Sequence, residues 1–134
     1  MASEVVRQGR AAWARLKRAD RQSWDEWLLV GYAMLEGRAL TSRAYSGRPI
    51  RDGRLAAFSD WLIDNRLDLR ADTRSQILTV MDMLPTIEAF RATLTETRRQ
   101  RLTCPKSVLS AYRKAMTAGA PAPVDLSPTS RAAR

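Results

Sequence analysis

The stretch SWDEWLLVGYAML, residues 23–35, constrains the fold of this chain more than any other part of it. Ser23 stands three residues before Glu26, which is the capping-box spacing found where helices begin. Apolar and small residues then recur at the spacing of one helix face: Trp24, Trp27, Leu28, Gly31 and Leu35. The pattern predicts a helix over about 24–44, and Gly31 on its apolar stripe predicts a close contact with another helix.

The rest of the chain also carries helical patterns, and no segment shows the sustained alternation of a strand. The segment SGRPIRDG, residues 46–53, has the residues of a turn. Beyond it, helices are predicted over about 54–65, 72–84, 85–94 and 103–117, with one or two further turns at 95–102. Asp72 is expected to cap the second of these helices, Pro85 to separate it from the next, and Thr103 to cap the last.

These elements predict an all-α protein, a compact bundle of about five helices. Residues 23–117 are expected to form the helical domain, and a chain of 134 residues fits one such domain. Residues 1–22 are polar and rich in alanine and arginine, so we interpret them as a basic, partly ordered arm, with a short helix around Trp13 and Leu16 as an option. Trp13 is its expected anchor, with a base-stacking ring as the alternative. Residues 118–134 are rich in Pro, Ala and Ser and are expected to form a disordered tail.

The charge of the chain points toward an acidic or anionic partner. There are 23 Lys and Arg residues against 14 Asp and Glu, which gives a net charge of +9. Such a balance favours nucleic acid, an anionic membrane or an acidic protein as partner. However, 20 of the basic residues are Arg and the chain also contains 20 Ala, a bias that a GC-rich genome produces by itself. The distribution of the charge is therefore more informative than its sum.

The positive charge is concentrated near the end of the predicted domain. Residues 98–117 contain six basic residues and no acidic one, whereas residues 55–97 contain four basic and seven acidic residues. A helix of 100° per residue over 105–117 places basic and hydroxyl side chains on one side and apolar side chains on the other. The polar side holds Lys106, Ser110, Arg113, Lys114 and Thr117, and the apolar side holds Val108, Leu109, Tyr112 and Met116. The polar side is either a surface for phosphate groups or a solvated helix face.

We interpret the chain as a small cytoplasmic DNA-binding protein, regulatory or architectural, that docks through its last helix and its arm. A homodimer is expected of a regulator of this kind. The candidate nucleic-acid-binding residues lie in the last helical region, the arm and the central loop: Arg98, Arg99, Arg101, Lys106, Ser110, Arg113, Lys114, Arg7, Arg10, Arg15, Lys17, Arg18, Arg48, Arg51 and Arg54. The alternative is a protein-interaction module, an adaptor or inhibitor, that binds an acidic protein partner through the same residues.

A second DNA-binding arrangement is a helix-turn-helix made by residues 54–65, 66–71 and 72–84. Thr73, Arg74 and Gln76 would then reach the bases, because Gln pairs with adenine and Arg with guanine. The connection is longer than the usual turn of this motif, and the surrounding segment is acidic. Two ordinary core helices are the favoured interpretation.

The sequence shows no familiar arrangement of catalytic residues, so the chain is not expected to be an enzyme. It contains no histidine, so the commonest general base and metal ligand are absent, and no metal or cofactor is expected. There is no Walker A, CxxC or GxGxxG motif. Cys104 is the only cysteine, which suits a reducing cytosol, and it is interpreted as a structural thiol.

The longest apolar run, 27–35, is too short to span a bilayer. Basic amphipathic helices can also bind a membrane surface, but the apolar sides of these helices are needed for the core, so no membrane binding is expected.

A series of short motifs carries a resemblance that covers about residues 24–114. In order they are WDEWLLVGYAMLEGR, FSDWL, TRSQIL, IEAFR and LTCPKSVLSAYRK. This series resembles a group of small uncharacterised helical proteins of alphaproteobacteria, their phages and their mobile elements. The resemblance implies DNA-associated regulation, and it assigns no catalytic residue.

Overall fold

The computed structural model describes residues 3–18, 23–44 and 54–118, and these ranges are helical with no strand. They contain seven helices: α1 Glu4–Arg18, α2 Trp24–Ala44, α3 Arg54–Asp64, α4 Ala71–Asp82, α5 Leu84–Ala92, α6 Glu96–Arg101 and α7 Pro105–Thr117. The all-α prediction is confirmed, and the predicted number of about five helices is too low. The two additional helices are α1, which forms where an arm was predicted, and α6, where only a turn or two was expected.

Helix α2 lies at the centre of the bundle. Helices α1, α3 and α4 pack against it, and α7 packs against α4 and α5. Its inward face contributes Trp24, Trp27, Val30, Ala33 and Met34 to the core. None of the core residues of the described chain is polar or charged. Burial of apolar surface is therefore what holds these helices together.

Helix α1 differs from the predicted arm because it packs into this core. Its side facing α2 buries Val6, Gly9, Ala12 and Leu16, which recur at helical spacing. Trp13 approaches Trp27 with ring centroids 5.8 Å apart, and its indole N–H donates to Asp68 at 2.8 Å. Small residues on the inner side let the two helices approach closely, so this segment is a structural helix with a basic outer surface.

The helix ends confirm some of the predicted caps and correct others. Ser23 caps α2, since its Oγ accepts from the backbone N–H of Glu26 at 3.4 Å. Pro85 lies in the first turn of α5, which begins at Leu84, one residue before the predicted start. The N-cap of α4 is Arg70, so the prediction of Asp72 was wrong. The N-cap of α7 is Cys104, one residue after the predicted Thr103.

Two predicted segments fall wholly or largely outside the described residues. These are the turn over 46–53 and, except for its first residue, the tail over 118–134. Among the described helices, none combines the length and the apolar character needed to cross a membrane.

Two glycines of α2 allow close helix contacts and give a matched pair of substitutions. A Cβ atom on Gly37 would collide with the six-membered ring of Trp61, and one on Gly31 would collide with the Met81 side chain. We expect Gly37→Ala to destabilise the protein by about 1–3 kcal/mol, because a rigid ring must move. Gly31→Ala should cost less, because the methionine side chain can adopt other rotamers. Urea unfolding of both variants measures the difference, and a smaller loss for Gly37→Ala would contradict this packing.

Candidate nucleic-acid interface

Helix α7 is anchored to the bundle by its apolar side. Pro105, Val108 and Leu109 are buried, and α7 contacts both α4 and α5 through this side. The opposite side is exposed to solvent, as the helical pattern predicts. It carries the exposed residues Lys106, Ser110, Arg113, Lys114 and Thr117.

Five basic residues of α6 and α7 have no ion pair within the part of the chain that the structure describes. They are Arg98, Arg101, Lys106, Arg113 and Lys114, and all five are exposed. We call these five residues the basic surface. Their charge is uncompensated in the described structure, so it is available to an external anion.

Arg99 is the one basic residue of this region that the fold itself uses. Its guanidinium donates to Glu96 Oε1 at 2.8 Å and to the backbone oxygen of Arg91 at 3.4 Å. It is half-buried. The contact with Arg99 holds the pKa of the Glu96 carboxyl below its usual value. Arg99 therefore belongs to the packing of α6 against α5 more than to the basic surface.

The basic residues of α1 divide in the same way. Arg7 is paired with Glu4, the Nε of Arg15 lies 2.7 Å from Glu26, and the Nζ of Lys17 lies 3.2 Å from Asp68. Arg10 and Arg18 form no ion pair among the described residues, and Arg10 is half-buried. The prediction of a basic arm that reaches along DNA is not confirmed, because these side chains project from a packed helix.

The structure does not describe the basic residues predicted in the central loop. Arg48 and Arg51 lie outside the described residues, and Arg54 begins α3 without a described side chain. Their predicted role in nucleic-acid binding stays a prediction.

The three residues of the helix-turn-helix hypothesis do not share one surface. Thr73 and Gln76 line a cavity of about 300 Å³ beside Lys106 of α7. Arg74 instead lines a cavity between α3 and α4, where its Nη1 lies 3.4 Å from Ser59 Oγ. Because neighbouring positions of α4 face different helices, no single row of these side chains is presented to a groove of DNA.

The single thiol lies at the start of α7. Cys104 is half-buried, and its Sγ lies 3.3 Å from Ser107 Oγ. No group of three or more Cys, Asp or Glu side chains within the described ranges is close enough to hold a metal ion. The described residues therefore offer no constellation from which a metal-dependent step could be derived.

The structure reveals a polar cleft that the sequence patterns did not indicate. It has a volume of about 490 Å³ and lies between the first turn of α2 and the α5–α6 region. Its lining includes Trp24, Arg91 and Arg99. The guanidinium carbon of Arg91 lies 4.6 Å from the centre of a Trp24 ring. Arg91 lies in the acidic middle of the sequence, so its charge gave no signal there.

An apolar groove of about 460 Å³ lies between α5 and the C-terminal half of α7. Phe90 and Tyr112 meet there edge to face, with ring centroids 5.5 Å apart. Met116 lines the same groove and is 50% exposed. The apolar stripe of α7 thus continues beyond the part that the bundle covers. In the sequence, this groove is indicated by the apolar spacing of α7, which continues as far as Met116.

Two exposed carboxylates are stabilised in their charged form by contacts between distant segments. The indole N–H of Trp13 and the ammonium of Lys17 lower the pKa of Asp68. The guanidinium of Arg38 lowers the pKa of Asp82, and their closest atoms are 2.7 Å apart. A carboxylate with a lowered pKa stabilises the fold above its unfolded pKa, and that contribution is lost as the pH falls through the folded value.

We therefore expect Asp68→Asn to lower stability at pH 7 and to lose its effect in acid. The loss at pH 7 should be no more than about 1 kcal/mol, because solvent screens an exposed pair. The difference from wild type should shrink as the pH falls below about 4, where Asp68 of the unfolded chain takes up a proton. Urea unfolding at pH 7 and pH 3 measures this. Asp60→Asn is the control, since Asp60 is exposed and forms no ion pair within the described chain. An equal effect of both variants at pH 7 would argue against the Trp13–Asp68–Lys17 contact.

Comparisons of the chain with models of protein families, with curated proteins and with solved structures give no match.

Proposed function

We propose that this protein binds DNA through the basic surface of α6 and α7. The observation that carries the proposal is the set of five exposed cations without an ion pair in the described structure. Lys and Arg neutralise phosphates and release condensed counterions, which supplies most of the affinity of sequence-independent DNA binding. Cations already paired with carboxylates contribute less to this affinity, because part of their charge is already neutralised. The pairing therefore separates the basic surface from Arg7, Arg15 and Lys17 of α1.

The proposed role is that of a small cytoplasmic regulator or architectural protein, acting without a cofactor. Ser110 lies among the cations of α7 and can donate a hydrogen bond to a phosphate oxygen. The exposed side of α7 carries no Asn or Gln for adenine, and its Arg and Lys side chains serve phosphate as readily as guanine. The proposal is therefore backbone binding, in which the position on DNA depends on charge and shape more than on base contacts.

Fluorescence anisotropy with a labelled random duplex at rising salt tests the proposal. Five phosphate contacts predict a slope of about −4.5 in a plot of log affinity against log salt. Binding should therefore weaken by a factor of about 500 between 50 and 200 mM salt. Absence of binding at the lowest salt, or a slope near zero, would contradict DNA binding by this surface.

The second candidate is binding to an acidic protein partner, and the apolar groove beside Met116 favours it. Such a partner would place carboxylates on Arg113 and an apolar side chain in the groove, where burial contributes most to affinity. Met116→Ser separates the candidates, because phosphate contacts do not need this side chain. Unchanged duplex affinity in Met116→Ser agrees with the DNA proposal. Competition by polyglutamate as strong as that by a duplex of equal charge would instead favour the protein partner.

A further inference from the structure

The cleft between α2 and α5–α6 contains an arginine that lacks an anionic partner. Arg91 is half-buried, and no carboxylate of the described residues lies within ion-pair distance of it. Its Nη2 reaches the backbone oxygens of Arg99 and Leu102 only at 3.5 Å, the outer limit of a hydrogen bond. Burial lowers the pKa of Arg91, because desolvation disfavours the charged guanidinium more than the nearby carboxylates favour it.

The nitrogen atoms of Arg91 differ in their surroundings. Nε is sealed from solvent and has no hydrogen-bond partner. Nη1 forms no hydrogen bond within the described residues and, unlike Nε, is not sealed from solvent. A buried or half-buried charge is normally paired or fully hydrogen-bonded, because the loss of hydration is otherwise uncompensated. The open Nη1 is thus a donor that an external anion can reach.

Three carboxylates lie around the cleft, and none of them forms an ion pair with Arg91. Glu96 accepts from Arg99 and from the side-chain amide of Gln100. Glu88 accepts from the indole N–H of Trp24 at 2.8 Å, and Asp25 is exposed. Glu88 and Asp25 attract the charge of Arg91 only from beyond ion-pair distance. The guanidinium of Arg91 therefore still lacks an acceptor in direct contact with its Nη1.

Besides the carboxylates of Asp25 and Glu96, the remaining lining supplies neutral donors. Ser23 and Thr103 contribute hydroxyl groups, and Gln100 contributes an amide. Arg99 adds a second guanidinium, and its charge disfavours that of Arg91. An anion placed between two guanidiniums relieves this repulsion, and the planar fork of Arg matches the oxygen atoms of phosphate. The volume of about 490 Å³ exceeds what a single phosphate group needs.

We propose that this cleft binds a phosphate group, with Arg91 as the principal ligand and Arg99 as the second cation. The inference goes beyond the proposed function, since the cleft would hold a phosphate whether or not the basic surface binds DNA. The phosphate has two sources with the same chemistry, the backbone of a nucleic acid or a free phosphorylated small molecule. Chloride, which lacks an array of acceptor oxygens, should bind much more weakly.

Titration of the isotope-labelled full chain with inorganic phosphate, followed by NMR, tests the site without DNA. The indole N–H of Trp24 and the backbone amides of 99–103 report on the cleft. We expect saturable shifts of these signals with phosphate at constant ionic strength and none with chloride. Shifts that stay linear, or that are equal for both salts, would overturn the proposal.

Variants locate the binding within the cleft. Arg91→Gln should weaken phosphate binding at least about tenfold, since a charge-assisted bond is lost. Arg43→Gln is the matched control: it removes the same charge from an exposed position outside both the cleft and the basic surface, and it should change the affinity less than about twofold. Because Arg91→Gln also removes contacts to α6, Arg99→Gln is measured as well, with the helical signal of circular dichroism as a check of folding. Equal losses in Arg43→Gln and in both cleft variants would overturn the site.

A short duplex and a nucleoside monophosphate distinguish the sources. If the duplex and the monophosphate each shift the Trp24 signal, and Arg91→Gln removes both shifts, the cleft accepts a backbone phosphate of DNA as well as a free phosphate. If only the monophosphate does so, the cleft belongs to a small molecule. A duplex that binds the basic surface without moving the Trp24 signal would leave the proposed function intact, so failure of the two proposals is distinguishable. Absence of a saturable shift with phosphate, monophosphate and duplex would overturn the site.

Discussion

Replacing Lys106, Arg113 and Lys114 together by Ala is expected to weaken duplex binding at 100 mM salt by about two to three orders of magnitude. Each phosphate contact contributes about 0.9 to the slope of log affinity against log salt. Three contacts therefore account for about 2.7 decades of affinity between 1 M and 0.1 M salt. The slope of the variant should be shallower by the same amount. Fluorescence anisotropy over a salt series measures both quantities.

A variant with the same loss of formal charge provides the control. Arg7, Arg15 and Lys17 each pair with a carboxylate in the structure. Their joint replacement by Ala also removes three positive charges, but it should lower duplex affinity less than about tenfold. The remaining effect is long-range and is screened, since the Debye length at 0.1 M salt is about 10 Å. Equal losses in both triple variants would show that the net charge, and not the basic surface, determines binding.

Replacing Leu16 by Ala is expected to destabilise the protein by about 2–4 kcal/mol, because it removes a core side chain of α1 and leaves a cavity. Leu16 is 4% exposed and belongs to the same core cluster as Trp24 and Trp27. The midpoint of thermal unfolding should fall by roughly 10 °C in a domain of this size. Urea unfolding gives the free energy directly.

Val5→Ala is the matched control on the same helix. Val5 is 39% exposed, so truncation there should change the stability by no more than about 0.5 kcal/mol. If Leu16→Ala costs no more than Val5→Ala, the packing of α1 against α2 is contradicted and the earlier prediction of an arm is restored. The comparison is sharp because the two side chains differ mainly in which side of α1 they occupy.

Local patterns were sufficient to predict most of the helices. The start of α2 follows from Ser23 and its length from the apolar stripe behind it, and Pro85 predicts the first turn of α5 to within one residue. The division of α7 into a buried side and a basic side follows from helical spacing alone. These features are set by interactions within about four residues, so a single sequence contains the information for them.

The sequence by itself thus determined the helical class of this protein, the register of α2 and α7, and the exposed cations of the basic surface. Only the tertiary structure decided that α1 packs into the core, since Gly9 and Ala12 of its buried stripe contribute close approach to α2 and little apolar area of their own. Only the tertiary structure paired Lys17 with Asp68 and placed Arg91 on Trp24. The physical reason is the range of the interactions. Helix formation depends on near neighbours along the chain, whereas the compensation of a charge depends on groups that folding brings together from distant segments.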